Sequence, residues 1–209
     1  MEPQENIKVV TIGDGSTGKT CILIRYTKKT YDEEYIPTIY ESYSAPIQFA
    51  KKLVNLELVD TAGQDEYGNL RNLAYPNTDV FLITFSVVEP STYHNALQKW
   101  YPELNQKNPD AIKIFVGNKI DIRDEEAKKH KAGDKNAPID YIQAQQEISK
   151  LGCKYIECSA KTNVNIKDVF DLAIKTSLQK KDKLNQPKEG SKKSEKEKGK
   201  KKKGICNIF

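Results

Sequence analysis

Gly13-Asp14-Gly15-Ser16-Thr17-Gly18-Lys19-Thr20, preceded by the apolar run Ile7 to Ile12, is the stretch that decides the fold. It fits G-x-x-x-x-G-K-[ST], a phosphate-binding loop, and the apolar run supplies the strand that such a loop must follow. A glycine-rich turn lets consecutive backbone N–H groups point inward around an anion, while the helix that starts after Gly18 aims its positive end at the same spot. Gly15, Ser16, Thr17 and Gly18 are therefore expected to line the phosphates of a nucleoside triphosphate. Lys19 reaches the β- and γ-phosphates, and the Thr20 hydroxyl can ligate Mg²⁺. Cys21 follows the loop and is expected to pack near the nucleotide, either as a small buried filler or as a redox-sensing thiol. On this stretch alone a solvated Gly/Ser turn stays open.

Three further segments follow apolar runs. Asp60-Thr61-Ala62-Gly63-Gln64 comes after Leu56 to Val59, Asn118-Lys119-Ile120-Asp121 after Ile112 to Gly117, and Cys158-Ser159-Ala160-Lys161 after Tyr155-Ile156. In an open α/β sheet the ligand crevice lies at the carboxyl ends of the strands, so four such loops can converge on one nucleotide. The third loop chooses the base. An Asp121 carboxylate can accept from both N1–H and the exocyclic amino group of guanine, a donor pair that adenine lacks, so GTP is expected over ATP. Asn118 would tie this loop to the phosphate loop, the Lys119 stem can lie against one face of the purine, and the Ala160 N–H is placed for guanine O6.

These motifs together resemble the Ras superfamily of small GTPases, and two details narrow the likeness to the Rho family. Tyr35-Ile36-Pro37-Thr38 is similar to the first switch of Rho and Rac proteins, and Asp60 to Tyr67 to their second switch. The likeness runs from about Ile7 to Gln179 and resumes at the last four residues. The resemblance implies an α/β G domain of the P-loop NTPase class, a mostly parallel sheet with helices on both faces. It implies that Thr38 ligates Mg²⁺ and contacts the γ-phosphate, that Asp60 holds the ion through water, that the Gly63 N–H bonds the γ-phosphate, and that Gln64 orients the attacking water. Tyr31, Tyr35, Pro37, Ser159 and Lys161 complete the nucleotide contacts by the same likeness, and Gln64, Lys19, Thr38 and Gly63 form the hydrolytic set. Gly15 leaves room for Gln64 and for an arginine supplied by an activating protein. GTP and GDP are then substrate and product, and Mg²⁺ the cofactor.

Some positions depart from the family pattern. Tyr31 stands where a Phe usually packs edge-on to guanine, Val59 where Rho and Rac carry a Trp that helps exchange factors choose partners, and Asp65-Glu66 invert the usual order. Ser42 replaces the Asn that a clostridial toxin modifies in the family. Ile122 to Ile156 make a 35-residue connection, and its charged part, residues 124–137, resembles the helical insert of Rho proteins; a merely solvated loop is the alternative.

Length fits one domain, residues 1–180, that folds as a monomer. The stripes Tyr93, Ala96, Leu97, Trp100, Tyr101, Leu104 (after a candidate cap at Ser91) and Ile166, Val169, Phe170, Ala173, Ile174, Ser177 read as helix faces turned to the core. The alternation of Val54, Leu56 and Leu58 with Asn55 and Glu57 reads as a half-exposed edge strand. The N-terminus has no apolar signal, no run approaches a spanning helix, and Cys21, Cys153, Cys158 and Cys206 have no metal-like spacing, so a cytosolic chain with reduced thiols is expected.

From Lys181 the composition shifts. Residues 181–209 hold eleven Lys against four acidic residues, a surplus of seven, whereas the whole chain is +5 and residues 1–180 are thus −2. The segment reads as a disordered polybasic tail ending in Lys200 to Lys203 and Cys206-Asn207-Ile208-Phe209, a C-a-a-X box whose Phe favours geranylgeranyl transfer to Cys206. One lipid chain anchors marginally and each lysine adds roughly 1 kcal/mol toward anionic lipid, so the pair places the chain on the cytoplasmic face of the plasma membrane with a cytosolic pool. A solubilising tail and a nucleic-acid arm are the alternatives. No aromatic lies between Phe170 and Phe209 to stack on bases, so no nucleic-acid partner is expected. The resemblance implies exchange factors, GTPase-activating proteins, a dissociation inhibitor and actin-regulatory effectors as partners. A non-cycling, GTP-loaded scaffold and an ATP-using kinase are the rival functions, the first opposed by Gln64 and Gly15, the second by Asp121.

Overall fold

In the computed structural model, which describes residues 5–31, 40–131 and 134–185, strand β1 (Glu5–Ile12) lies inside the sheet and its side chains alternate between two cores. Ile7 and Val9 face one core, Val10 and Ile12 the other. The remaining strands are β2 (Tyr40–Phe49), β3 (Lys52–Thr61), β4 (Val80–Ser86), β5 (Ile112–Asn118) and β6 (Lys154–Glu157), in the spatial order β2-β3-β1-β4-β5-β6. All neighbours run parallel except β2 and β3, an antiparallel hairpin. β4 is buried along its whole length, as a parallel strand covered on both faces must be.

Helices cover both faces, as expected. On one side α1 (Lys19–Thr27) and α7 (Ile166–Asn185) place Ile22, Leu23, Val169, Phe170 and Ile174 against Val9, Leu56 and Val116. On the other, α2 (Gly68–Ala74), α3 (Pro90–Asn95), α4 (Tyr101–Lys107) and α6 (Tyr141–Lys150) surround Phe81, Ile83 and Phe115 with Tyr93, Trp100, Leu104 and Ile148. Each large apolar side chain so buried contributes about 1.5–3 kcal/mol.

Three expectations need correction. The alternation in β3 is real, but β3 is second from the edge; the edge is β2, whose Pro46 is tolerated there because an edge strand can forgo a ladder donor. Ser91 is not a cap: α3 starts at Pro90 after Glu89, because the fixed φ of proline suits the first helical position. Helix α7 continues through Asn185, past the composition change at Lys181, and its last turns touch the sheet through Lys181 with Asp79 at 3.0 Å and Asp182 with Lys52 at 3.2 Å. In the charged segment 124–137 the described residues form the end of a short helix, α5 (Arg123–Ala127), and turns, with His130 Nδ1 at 2.8 Å from the Asp134 carboxylate. Among the described residues no helix is long and apolar enough to cross a membrane.

Candidate functional site

The phosphate loop joins the carboxyl end of β1 to α1, where the chain order switches from β3 on one side of β1 to β4 on the other. Gly18 caps α1 at φ 90° and has no room for a side chain: a Cβ would lie 2.3 Å from Asn118 Nδ2. No side chain caps this helix and no acidic residue sits in its first turn, so its N–H groups and positive end are left for an anion. Ser16 turns the loop at φ 60°, Thr17 Oγ1 donates to Asp14 O at 3.0 Å, and the space over Gly15 is open to 4 Å. Lys19, 6% exposed, donates to Gly13 O at 3.0 Å and Asp14 O at 2.7 Å, which holds its ammonium across the mouth of the loop. Burial draws its pKa down to about 8, outweighing the opposite pull of Asp60 and Asp14. Cys21 is half-buried against the first core and burial raises its thiol pKa, the reverse of what an activated thiolate needs.

Asp60, at the end of β3, is 1% exposed and meets two hydroxyls. Thr20 Oγ1 donates to its Oδ2 at 2.6 Å and Thr11 Oγ1 to its Oδ1 at 3.1 Å. A hard oxygen pair of carboxylate and hydroxyl beside a phosphate loop fits Mg²⁺, which takes one or two protein ligands and shares the substrate's phosphates. Gly63 packs directly on the phosphate loop, where a Cβ would lie 2.4 Å from Asp14 C and 2.5 Å from Gly15 N, so this position admits only glycine. The Gln64 side chain is exposed, while its carbonyl accepts from Arg71 Nη1 at 3.2 Å.

Asn118 is the hub of the base side. It is 2% exposed, donates Nδ2 to Thr17 O at 3.0 Å, and accepts at Oδ1 from the Ala160 N–H at 3.2 Å. Three loops are thus fastened to one amide. The Ala160 N–H, expected to bond guanine O6, lies at this hub and donates to the buried Asn118 Oδ1. Asp121 is oriented by Ser159 Oγ, which donates to its Oδ1 at 2.6 Å, and Lys119 adopts φ 70°. Lys161 O accepts from Arg25 Nη2 at 3.3 Å, and Tyr31 packs against the first core. Tyr35, Pro37, Thr38 and Cys206 lie outside the described residues.

Residues 8–179 match the profile of the Ras family. The chain belongs to the Ras family. It is thus a small GTPase of the Ras superfamily, a class of GTP hydrolases that act as switches. Ras-family proteins bind GTP and GDP, typically with Mg²⁺, and generally interact with exchange factors, activating proteins and effectors.

Several residues of this Ras-family site carried no signal strong enough to read from the sequence. Thr11 and Arg71 meet Asp60 and Gln64 only through the fold. Arg123 and Glu157 are each adjacent to a motif, yet their ion pair, with both N–O distances at 2.7 Å, spans 34 positions and locks the two base loops together. Trp100 reads as core, and only Pro102, a proline inside a helical stripe, hints that its helix is irregular.

Proposed function

We propose that this protein is a Rho-type GTPase that cycles between GTP-bound and GDP-bound states at a membrane. The observation that carries the reading is Asn118, which ties Thr17 of the phosphate loop to Ala160 of the base loops and so sets phosphate and guanine recognition in one frame. In this reading Lys19 and the loop N–H groups hold the β- and γ-phosphates, and the Asp121 carboxylate, oriented by Ser159, reads the guanine edge. Thr20, Asp60 and Thr38 would hold Mg²⁺, which when bound supplies charge neutralisation at the phosphates. Gln64 orients the attacking water, with Gly63 close to the γ-phosphate and Gly15 leaving space for an activating arginine. In Ras itself, activating proteins raise hydrolysis by about 10⁵-fold.

The Rho assignment is supported by the likeness of Tyr35-Ile36-Pro37-Thr38 and Asp60 to Tyr67 to Rho switches and by the long charged connection after Asp121. A geranylgeranyl chain on Cys206 and the lysines before it would anchor the protein to the cytoplasmic face of the plasma membrane, with a cytosolic pool. There it would meet exchange factors, activating proteins, a dissociation inhibitor and actin-regulatory effectors. Single-turnover assays test the reading: GTP is hydrolysed, ATP is not, and Gln64→Leu cuts the rate while nucleotide affinity stays nearly intact. An unchanged rate in Gln64→Leu, with and without an activating protein, overturns it in favour of a non-cycling scaffold or another water-positioning residue.

A further inference from the structure

Asp14 is one of the free positions of the phosphate-loop motif, yet its side chain is gripped from outside the loop. Its Oδ1 accepts from Trp100 Nε1 at 2.7 Å and its Oδ2 from Asn95 Nδ2 at 2.7 Å, contacts that span 86 and 81 positions. On a regular α-helix residues five apart point about 140° away from each other, so Asn95 and Trp100 would not both reach one carboxylate. Here residues Ala96–Trp100 form a π-turn between α3 and α4, which brings positions five apart onto one face. Pro102, which has no N–H to give to the preceding turn, accounts for the break in the α-helical ladder.

The Trp100 ring, fully buried, also carries the Arg71 guanidinium 4.6 Å from its centroid. Arg71 in turn donates Nη1 to Ala62 O at 3.1 Å and to Gln64 O at 3.2 Å. The same two segments touch on their other side, where Gly63 rests on the backbone of Asp14. We propose that Trp100 is a positioning residue for GTP hydrolysis: its indole N–H on Asp14 and its ring under Arg71 tie the phosphate loop to the backbone of Gln64. The inference rests on the reading that Gln64 directs hydrolysis. Trp100 touches no reacting atom; it fixes the distance between the loop that holds the phosphates and the residue that places the water, and misplacement of that kind costs rate rather than binding.

A double-mutant cycle tests it, using single-turnover GTP hydrolysis by the wild type, Asp14→Ala, Trp100→Phe and the double variant, with GDP affinity and thermal midpoint measured alongside. Trp100→Phe keeps an aromatic ring in the core and removes the indole N–H together with part of the ring, so the thermal midpoint reports the packing loss separately from the rate. Each single change is expected to slow hydrolysis on the order of tenfold with GDP affinity held within about twofold, and the double variant to be no slower than either. Asn95→Ala, at an exposed position, slows it less. Additive effects, or loss of midpoint and GDP affinity with an unchanged rate, would show packing alone and overturn the proposal. Gln64→Leu is the control: if it hydrolyses like the wild type, the underlying reading has failed instead. Trp100 is the only tryptophan, so its emission gives a readout independent of hydrolysis. Emission is expected to differ between the GDP form and a form loaded with a non-hydrolysable GTP analogue, and Asp14→Ala to remove that difference. Equal emission in the two loaded forms overturns the coupling whatever the control shows.

Discussion

Burial of its ammonium leaves Lys19 easier to deprotonate than an ordinary lysine. Its pKa in the fold is about 8 against an ordinary 10.5, so between those values the folded chain holds fewer protons than the unfolded one. By linkage the stability that this group contributes rises with pH across that window. Nucleotide binding should have the opposite sense: if Lys19 meets the phosphates as proposed, they favour its charged form, and above pH 8 the protein is expected to take up a proton as it binds. Affinity for GDP is expected to fall by up to about tenfold per pH unit above 8, and calorimetry in two buffers of different ionisation enthalpy should register the uptake. Flat affinity between pH 7.5 and 9.5 would separate Lys19 from the phosphates. At the neighbouring position Thr20→Asn removes the hydroxyl that sits 2.6 Å from Asp60 Oδ2, and is expected to weaken GTP more than GDP and to trap exchange factors. Equal loss for the two nucleotides, read by competition binding, would contradict a Mg²⁺ role. These residues were legible in the sequence because the chemistry of a phosphate loop is written in eight consecutive positions. The partners of Asp14 were not, since nothing local to residue 14 announces an indole 86 positions away.

Helices and strands were legible where burial dictates their composition. The runs in β4 and β5 had to be apolar on both faces, and the stripe Ile166 to Ser177 had to repeat at helical spacing. β2 escaped because an edge strand needs neither property: Tyr40 to Phe49 mixes Ser, Glu, Gln and Pro, and it becomes a strand only because β3 offers it an antiparallel partner over ten registered pairs. The π-turn at Ala96–Trp100 kept the buried residues of its stripe inside and so left the periodicity almost intact. Between elements, Arg123 at the start of α5 grips Glu157 at the end of β6, a carboxylate 7% exposed that also accepts from Tyr155 OH at 2.6 Å. Arg123→Ala strands that carboxylate, which for a buried pair costs about 3–5 kcal/mol and somewhat less here because the guanidinium is partly exposed. Urea unfolding should show the loss. Since the pair fixes the Asp121 and Ser159 loops relative to each other, GTP and GDP should dissociate faster by the same factor, and a change confined to GTP would place the pair elsewhere in the cycle.

The charge of the whole molecule is divided between a slightly acidic domain and a basic C-terminal segment, and the proposed membrane role depends on that division. Cys206→Ser leaves only electrostatic attraction, which fades within a Debye length and weakens with salt, so the variant should be largely cytosolic on fractionation. Changing Lys200, Lys201, Lys202 and Lys203 to Gln removes roughly 4 kcal/mol of lipid attraction and should move the protein to internal membranes without releasing it. Retention of Cys206→Ser at the plasma membrane would contradict the lipid anchor. Neither change should touch nucleotide affinity, because in the proposed reading the nucleotide is held by the loops that follow β1, β3, β5 and β6, far in sequence from the tail. The account stands on those loops selecting guanine. Competition of GTP, ATP and XTP against a fluorescent GDP, run on the wild type and on Asp121→Asn, tests this most directly. GTP should displace the probe from the wild type and ATP should not, and the variant should lose several kcal/mol of GTP affinity and turn to XTP, whose carbonyl meets the new amide donor. Displacement by ATP at GTP-like concentrations, or an Asp121→Asn variant that still prefers GTP over XTP, would contradict it.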